Sequence, residues 1–213
     1  MQKLIFQYLY LYVLFSILGW ILEFTFRSWR KKKIINPGFL WGPYLPIYGA
    51  GAVLLSLSSA HLGDAPIYVK VFFYFIITTG VEFLTGFIFE ELFHLPLWDY
   101  TKEPFRIKNY VCLTFSLYWV ILAFFFEYIL LPAAMSLYYL SPYIAYAVAG
   151  IVCLMFTETV LKFTRLYLSR TGQGRTGPDD DAWQDFSRII EPLLKHPEVP
   201  QLANFRHHRM MTR

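Results

Sequence analysis

Four stretches of this chain, residues 4–22, 34–60, 109–126 and 128–157, contain no charged side chain. Runs of that length decide the fold class. A helix needs roughly 20 apolar residues to cross about 30 Å of hydrocarbon, and inside hydrocarbon its backbone amides have to be satisfied within the segment. Composition agrees, with 56% hydrophobic, 20% aromatic and 16% charged residues, against roughly 25% charged in a soluble domain. The expected fold is all-α, a polytopic membrane helical bundle. The first apolar run, from Leu4 to Phe26, lacks a small-x-small cleavage site and is too long for a signal-peptide core, so it is expected to be retained. Cys112 and Cys153 fall inside apolar segments and read as small buried residues, without disulfide or metal-ligand spacing.

Hydropathy places five helices at about 4–26, 38–60, 71–93, 110–131 and 142–165. The loop after the first carries Arg27, Arg30, Lys31, Lys32 and Lys33, whereas HLGDAPIY after the second adds no Lys or Arg. Lys102, Arg106 and Lys108 follow the third helix, none follows the fourth, and Lys162, Arg165, Arg170 and Arg175 flank the end of the fifth. This alternation predicts a multipass protein of the cell membrane, N-terminus outside and C-terminus cytoplasmic. Residues 1–168 form the expected transmembrane domain. Residues 169–213 read as a cytoplasmic linker, a short amphipathic helix (Trp183, Phe186, Ile190 and Leu193 on one face) and a basic tail.

The second segment is unusual: NPGFLWGPYLPIYGAG holds three prolines and four glycines in 16 residues. Proline removes an amide donor and glycine loosens the backbone, and non-helical backbone at membrane depth survives only where protein or water covers it. A broken or re-entrant segment over residues 36–50 is expected. The alternative is a loop followed by a helix that starts near Ile47.

Motifs exclude several classes. Gly172, Gly174 and Gly177 spell G-x-G-x-x-G, but the fingerprint works only between a strand and a helix, and here it follows an apolar helix and precedes an acidic run. No G-x-x-x-x-G-K-[ST] loop occurs, so any ATP-driven transport would need a separate ATP-binding subunit. G-x-S-x-G and H-E-x-x-H are absent too. No cofactor and no nucleic-acid partner is implied; membrane lipid is the expected surrounding, and an oligomer is compatible with the pattern.

The intramembrane acids carry more information, because a charge at the centre of a membrane helix costs about 2.5–3.5 kcal/mol on insertion scales. Glu23 precedes Arg27, and Glu158 precedes Lys162, by one helical turn in the favourable order. Glu127 is expected near the outer interface, within reach of water. Glu82 has only Thr78, Thr79, Thr85 and Gly86 at one turn's distance, so it must be protonated, bonded to another helix, or turned to an aqueous cavity. In FIFEELFHLPLWDY (87–100), His94 stands within a turn of both Glu90 and Glu91. Glu91-x-x-His94 has the spacing of carboxylate di-metal bundles, but those need two such motifs and two further glutamates, so no metal site is expected. A hydrated helix end and a hydrogen-bonded network at a cavity mouth both remain open.

Three segments, FSILGWILE (15–23), NPGFLWGPYLPIYGAGAVLL (36–55) and VEFLTGFIFEELFHLPLWDYTKEPFRIKNYVCL (81–113), resemble the Putative ABC-transporter type IV family of small bacterial multipass proteins. Gly19, Trp20 and Glu23 match its first motif, Asn36, Gly42, Pro43 and Tyr48 its second, and Glu82, Glu90, Trp98, Asp99 and Tyr100 its third. Pro37 departs from the family's usual arginine, and Arg106 and Asn109 stand where asparagine and glycine are usual. The resemblance implies a membrane protein of permease type.

Glu82, Glu90, Glu23, Asp99, Asn36, Trp98 and Tyr100 are therefore the candidates for a substrate or proton path in a cytoplasm-facing polar cavity. A transporter or permease-like component is the leading expectation. An intramembrane enzyme acting on a lipid or polyprenyl substrate, with His94 in acid–base chemistry, and an accessory or assembly protein are the alternatives.

Overall fold

A computed structural model describes residues 2–140 and 143–170. Helix α1 runs Gln2–Lys31, α2 Pro46–Leu62 and α3 Ile67–Phe87. A π-helical turn, Ile88–Leu92, extends α3; a second, Phe126–Leu130, joins α4 (Leu113–Phe125) to α5 (Leu131–Leu140), and α6 covers Ile144–Arg170. Four runs are long and apolar enough to cross a membrane: Lys3–Lys31, Ile67–Glu91, Leu113–Tyr139 and Tyr146–Leu168. Helix α2 is shorter, with 17 residues, or about 25 Å at 1.5 Å per residue. The described chain is thus a multipass helical bundle.

Local chemistry sets the helix limits. Residues 34–45 are irregular, and α2 begins only at Pro46, whose missing amide is harmless in a first turn. The residue before a proline avoids helical geometry, and Leu45 is extended, with φ −119° and ψ 100°. Gly63, at φ 48° and ψ −121°, ends α2 in a conformation that glycine adopts readily and L side chains rarely do, and Pro66 precedes α3. Helix α3 starts at Ile67 rather than near 71. Glu82 therefore stands about 22 Å along a run of about 38 Å, past its midpoint.

Helices α1 and α2 lie close together because glycines face the contact. A Cβ on Gly49 would stand 2.3 Å from Ser16 Oγ and 2.4 Å from the Tyr12 carbonyl oxygen; one on Gly19 would meet Tyr48 Cγ at 2.2 Å. Small residues that let helix backbones approach are the usual basis of packing in lipid. Helix α3 packs between α2 and α4, and α6 lies against α1. The core joins Tyr10, Leu11, Phe15, Tyr74, Ala123 and Phe126, while Phe72, Ile76, Leu117, Ile121, Leu154 and Phe156 point outward, as lipid-facing side chains would.

One short hairpin interrupts the helices. Strands β1 (Arg106–Ile107) and β2 (Val111–Cys112) pair antiparallel, Arg106 opposite Cys112 and Ile107 opposite Val111. The amphipathic helix and basic tail expected beyond residue 170 lie outside the described residues.

Candidate functional site

Glu82 is carried inward by α3 and is 4% exposed. Its Oε1 accepts a 2.7 Å hydrogen bond from the Tyr100 hydroxyl. Tyr100 belongs to the loop after α3 and is itself buried, its ring 5.1 Å from that of Phe115. Burial first, and then the Glu82 carboxylate, push the Tyr100 phenol well above its ordinary pKa, so it stays a donor at every physiological pH. Glu82 Oε2 is buried too. The buried Trp119 indole N–H faces the same carboxylate as a second donor. A carboxylate inside a spanning helix thus has only a phenol and an indole to solvate it and no ion-pair partner among the described residues, a costly placement that points to function.

Tyr48 and Glu23 complete this centre. The Tyr48 ring meets Trp119 edge-on at 5.5 Å, and its hydroxyl donates to Glu23 Oε2 at 3.2 Å. Glu23 Oε1 holds Arg27 Nε at 2.6 Å, the ion pair read from the sequence. The phenols of Tyr48 and Tyr100 each lie within electrostatic reach of both Glu23 and Glu82. Two carboxylates, two phenols and an indole from α1, α2, α3, α4 and one loop therefore share one region.

Asn36 orders the irregular segment beside it. Its Oδ1 accepts from Trp20 Nε1 at 2.9 Å and from the Gly38 amide at 3.1 Å, and its Nδ2 donates to the Leu40 carbonyl at 3.4 Å. Trp98 donates from Nε1 to the Tyr110 carbonyl at 2.8 Å. Its ring lies against Gly86, where a Cβ would come within 3.4 Å of it. Trp98 thus supports the loop that delivers Tyr100, and Asn36 the loop that leads to Tyr48.

The other candidates sit on the rim. Asp99 is exposed, and its Oδ1 accepts from the Thr101 amide at 2.8 Å; hydrogen bonds from that amide and the Thr101 hydroxyl hold its carboxyl below the usual range. This is a turn cap. Glu90 is half-buried in the first π turn, and its backbone carbonyl accepts from the His94 amide at 2.9 Å. The exposed His94 ring lies 3.1 Å from that same carbonyl oxygen through Nδ1, and His94 ends the helix at φ 48°. Glu91 meets Lys108 at 3.2 Å and the Tyr110 hydroxyl at 2.9 Å on the hairpin. Among the described residues no group of three or more His, Cys, Asp or Glu could hold a metal ion.

Two other acids have partners from distant segments. Glu158 accepts from the amides of Trp41 and Gly42 and from the Tyr44 hydroxyl. Lys162, one turn on, lies over the rings of Phe39 and Trp41. Glu127, expected to reach water, instead pairs with Lys70 at 2.6 Å, with the two side chains only 8% and 7% exposed. Lys70 was missed in the sequence because it borders a loop free of other basic residues. Trp119 was missed because hydropathy does not separate a site aromatic from a core one, and Tyr48 was read only as part of the second family motif.

No curated protein and no solved structure matches the chain significantly. A family model described as Putative ABC-transporter type IV covers residues 10–163, from within α1 through most of α6, and includes every residue of the Glu82 centre. The chain belongs to that family.

Proposed function

We propose that the protein is a transporter or permease-like component whose cytoplasm-facing polar cavity is centred on Glu82. One observation carries this reading: a carboxylate buried within a membrane-spanning helix, held by the Tyr100 hydroxyl and faced by the Trp119 N–H, with no ion-pair partner among the described residues. Ionisable groups inside membrane segments characteristically line substrate or ion paths. Glu23 and Tyr48 extend the centre, the irregular segment around Asn36 forms a re-entrant wall, and Trp98, Asp99, Tyr100 and Glu90 make the cytoplasmic mouth. The basic-residue pattern orients that mouth inward. The chain beyond residue 168 acts on the cytoplasmic side, and a separate ATP-binding subunit is the partner that the family description fits.

The test is Glu82→Gln in a deletion strain profiled for growth on a panel of solutes. Glutamine keeps the shape and still accepts from Tyr100, but it cannot ionise. The variant is expected to reach wild-type abundance in the membrane and to behave as the deletion. If abundance and phenotype are lost together, Glu82 is structural and the reading fails.

A further inference from the structure

The buried face of α3 is polar from end to end. Its buried residues are Lys70, Tyr74, Glu82 and Gly86, with the half-buried Thr78 completing an every-fourth-residue ridge. The apolar residues Val71, Phe72, Phe73, Ile76, Leu84 and Phe87 face outward. A helix stabilised only by packing would not bury this ridge, because each polar group loses water.

The two ends of the ridge are built alike. At one end Glu127 Oε1 accepts from Lys70 Nζ at 2.6 Å and from Ser59 Oγ at 2.9 Å. The fully buried Tyr74 hydroxyl faces the same carboxylate. The other end is Glu82, held by the Tyr100 hydroxyl and faced by the Trp119 N–H. Between them the Thr78 hydroxyl donates to the Tyr74 carbonyl at 2.8 Å, and the neighbouring Thr79 hydroxyl, beside the ridge, is buried with no hydrogen bond among the described residues. Lys70 and Glu82 are twelve residues apart on α3, about 18 Å along the axis. Glu127 itself lies in the π turn Phe126–Leu130, a distortion that recurs at functional sites.

We infer that this ridge is a proton path through the membrane, running between the Lys70–Glu127 pair and Glu82. The inference rests on the transporter reading of Glu82 and names the species that moves. Hydroxyl groups suit protons, since each accepts on a lone pair while releasing its own proton onward, and none changes its charge. In one transfer the acid form of Glu82 becomes the carboxylate and Glu127 becomes the acid, with water bridging the hydroxyls along the ridge. Lys70 balances the Glu127 carboxylate between transfers and repels metal cations from the same end. The charged and titratable groups around the ridge are Lys70, Glu127 and Tyr128 at one end and Glu23, Arg27 and Tyr100 at the other.

The full-length protein is reconstituted in liposomes containing a pH-sensitive dye, and a potassium diffusion potential drives uptake. Wild type is expected to acidify the lumen well above protein-free liposomes. Tyr74→Phe and Glu82→Gln should each reduce the rate by about tenfold or more, as loss of a positioned proton carrier does, while Glu103→Gln leaves it unchanged. Tyr74→Phe keeps the ring, so it tests the path even if Glu127→Gln fails to fold. Wild-type flux at the protein-free level, flux carried by sodium instead, or full flux in Tyr74→Phe would each overturn the inference. A result of that kind, with Glu82→Gln still behaving as a deletion in cells, would leave the transporter reading standing.

Discussion

Lys70→Met is expected to destabilise the folded protein by about 3–5 kcal/mol, because it leaves the Glu127 carboxylate buried without its cation. The pair is nearly inaccessible, with side chains 7% and 8% exposed and Nζ 2.6 Å from Oε1. Ser59 donates one hydrogen bond to the same oxygen, far too little to replace a full charge. The double variant Lys70→Met/Glu127→Met should recover most of the loss, since two well-packed apolar side chains often match or exceed a buried ion pair. Unfolding in mixed micelles measures both, and the coupling between the two sites is read from the cycle. Equal destabilisation in single and double variants would mean that the lysine acts by packing alone. If the proton path is correct, the double variant will be stable yet inactive in flux, which separates folding from function.

The second large effect concerns the α1–α2 contact. Gly49→Ala is expected to cost about 1–3 kcal/mol, the range for overpacking a filled interface. The added Cβ would lie 2.3 Å from Ser16 Oγ and 2.4 Å from the Tyr12 carbonyl oxygen. The second of these is backbone, so it cannot rotate away. Gly51→Ala, two residues on in the same helix, meets nothing within 4 Å and should be neutral or stabilising by up to about 1 kcal/mol, because alanine restricts the unfolded chain. Thermal unfolding of the two variants side by side checks the account. A similar loss in both would show that helix propensity, not close approach, sets the effect. Because Tyr48 sits one residue from Gly49 and reaches both Trp119 and Glu23, displacement of α2 should also disturb the Glu82 centre.

What could be read from the sequence was mainly what depends on one segment at a time. The apolar runs marked the helical segments, since burial in lipid depends on composition along a single stretch. Glu23 and Arg27 could be paired because they lie one turn apart on the same helix. Glu82 stood out as the acid without a local partner, and the structure supplies that partner from Tyr100. The contacts that span long separations were not legible. Lys70 meets Glu127 across 57 residues, and Glu158 meets Trp41 across 117. Neither pairing has a periodic signature, because each depends on which helices become neighbours. The same limit explains His94: sequence spacing put it within reach of two carboxylates, but a left-handed backbone at that residue turns its ring to the Glu90 carbonyl instead. The start of α2, by contrast, was legible as the alternative of a loop followed by a helix near Ile47: the irregular run persists to Leu45 and the helix begins with Pro46.

The central claim, that the Glu82 centre opens to the cytoplasm, is tested most directly by side-specific labelling. Trp119→Cys is placed in a background in which Cys112 and Cys153 are serine, and membrane vesicles of each orientation are treated with a charged, membrane-impermeant thiol reagent. The account predicts that residue 119 reacts in inside-out vesicles and is protected in right-side-out ones. Reaction from the outer face, or from neither face, would contradict it.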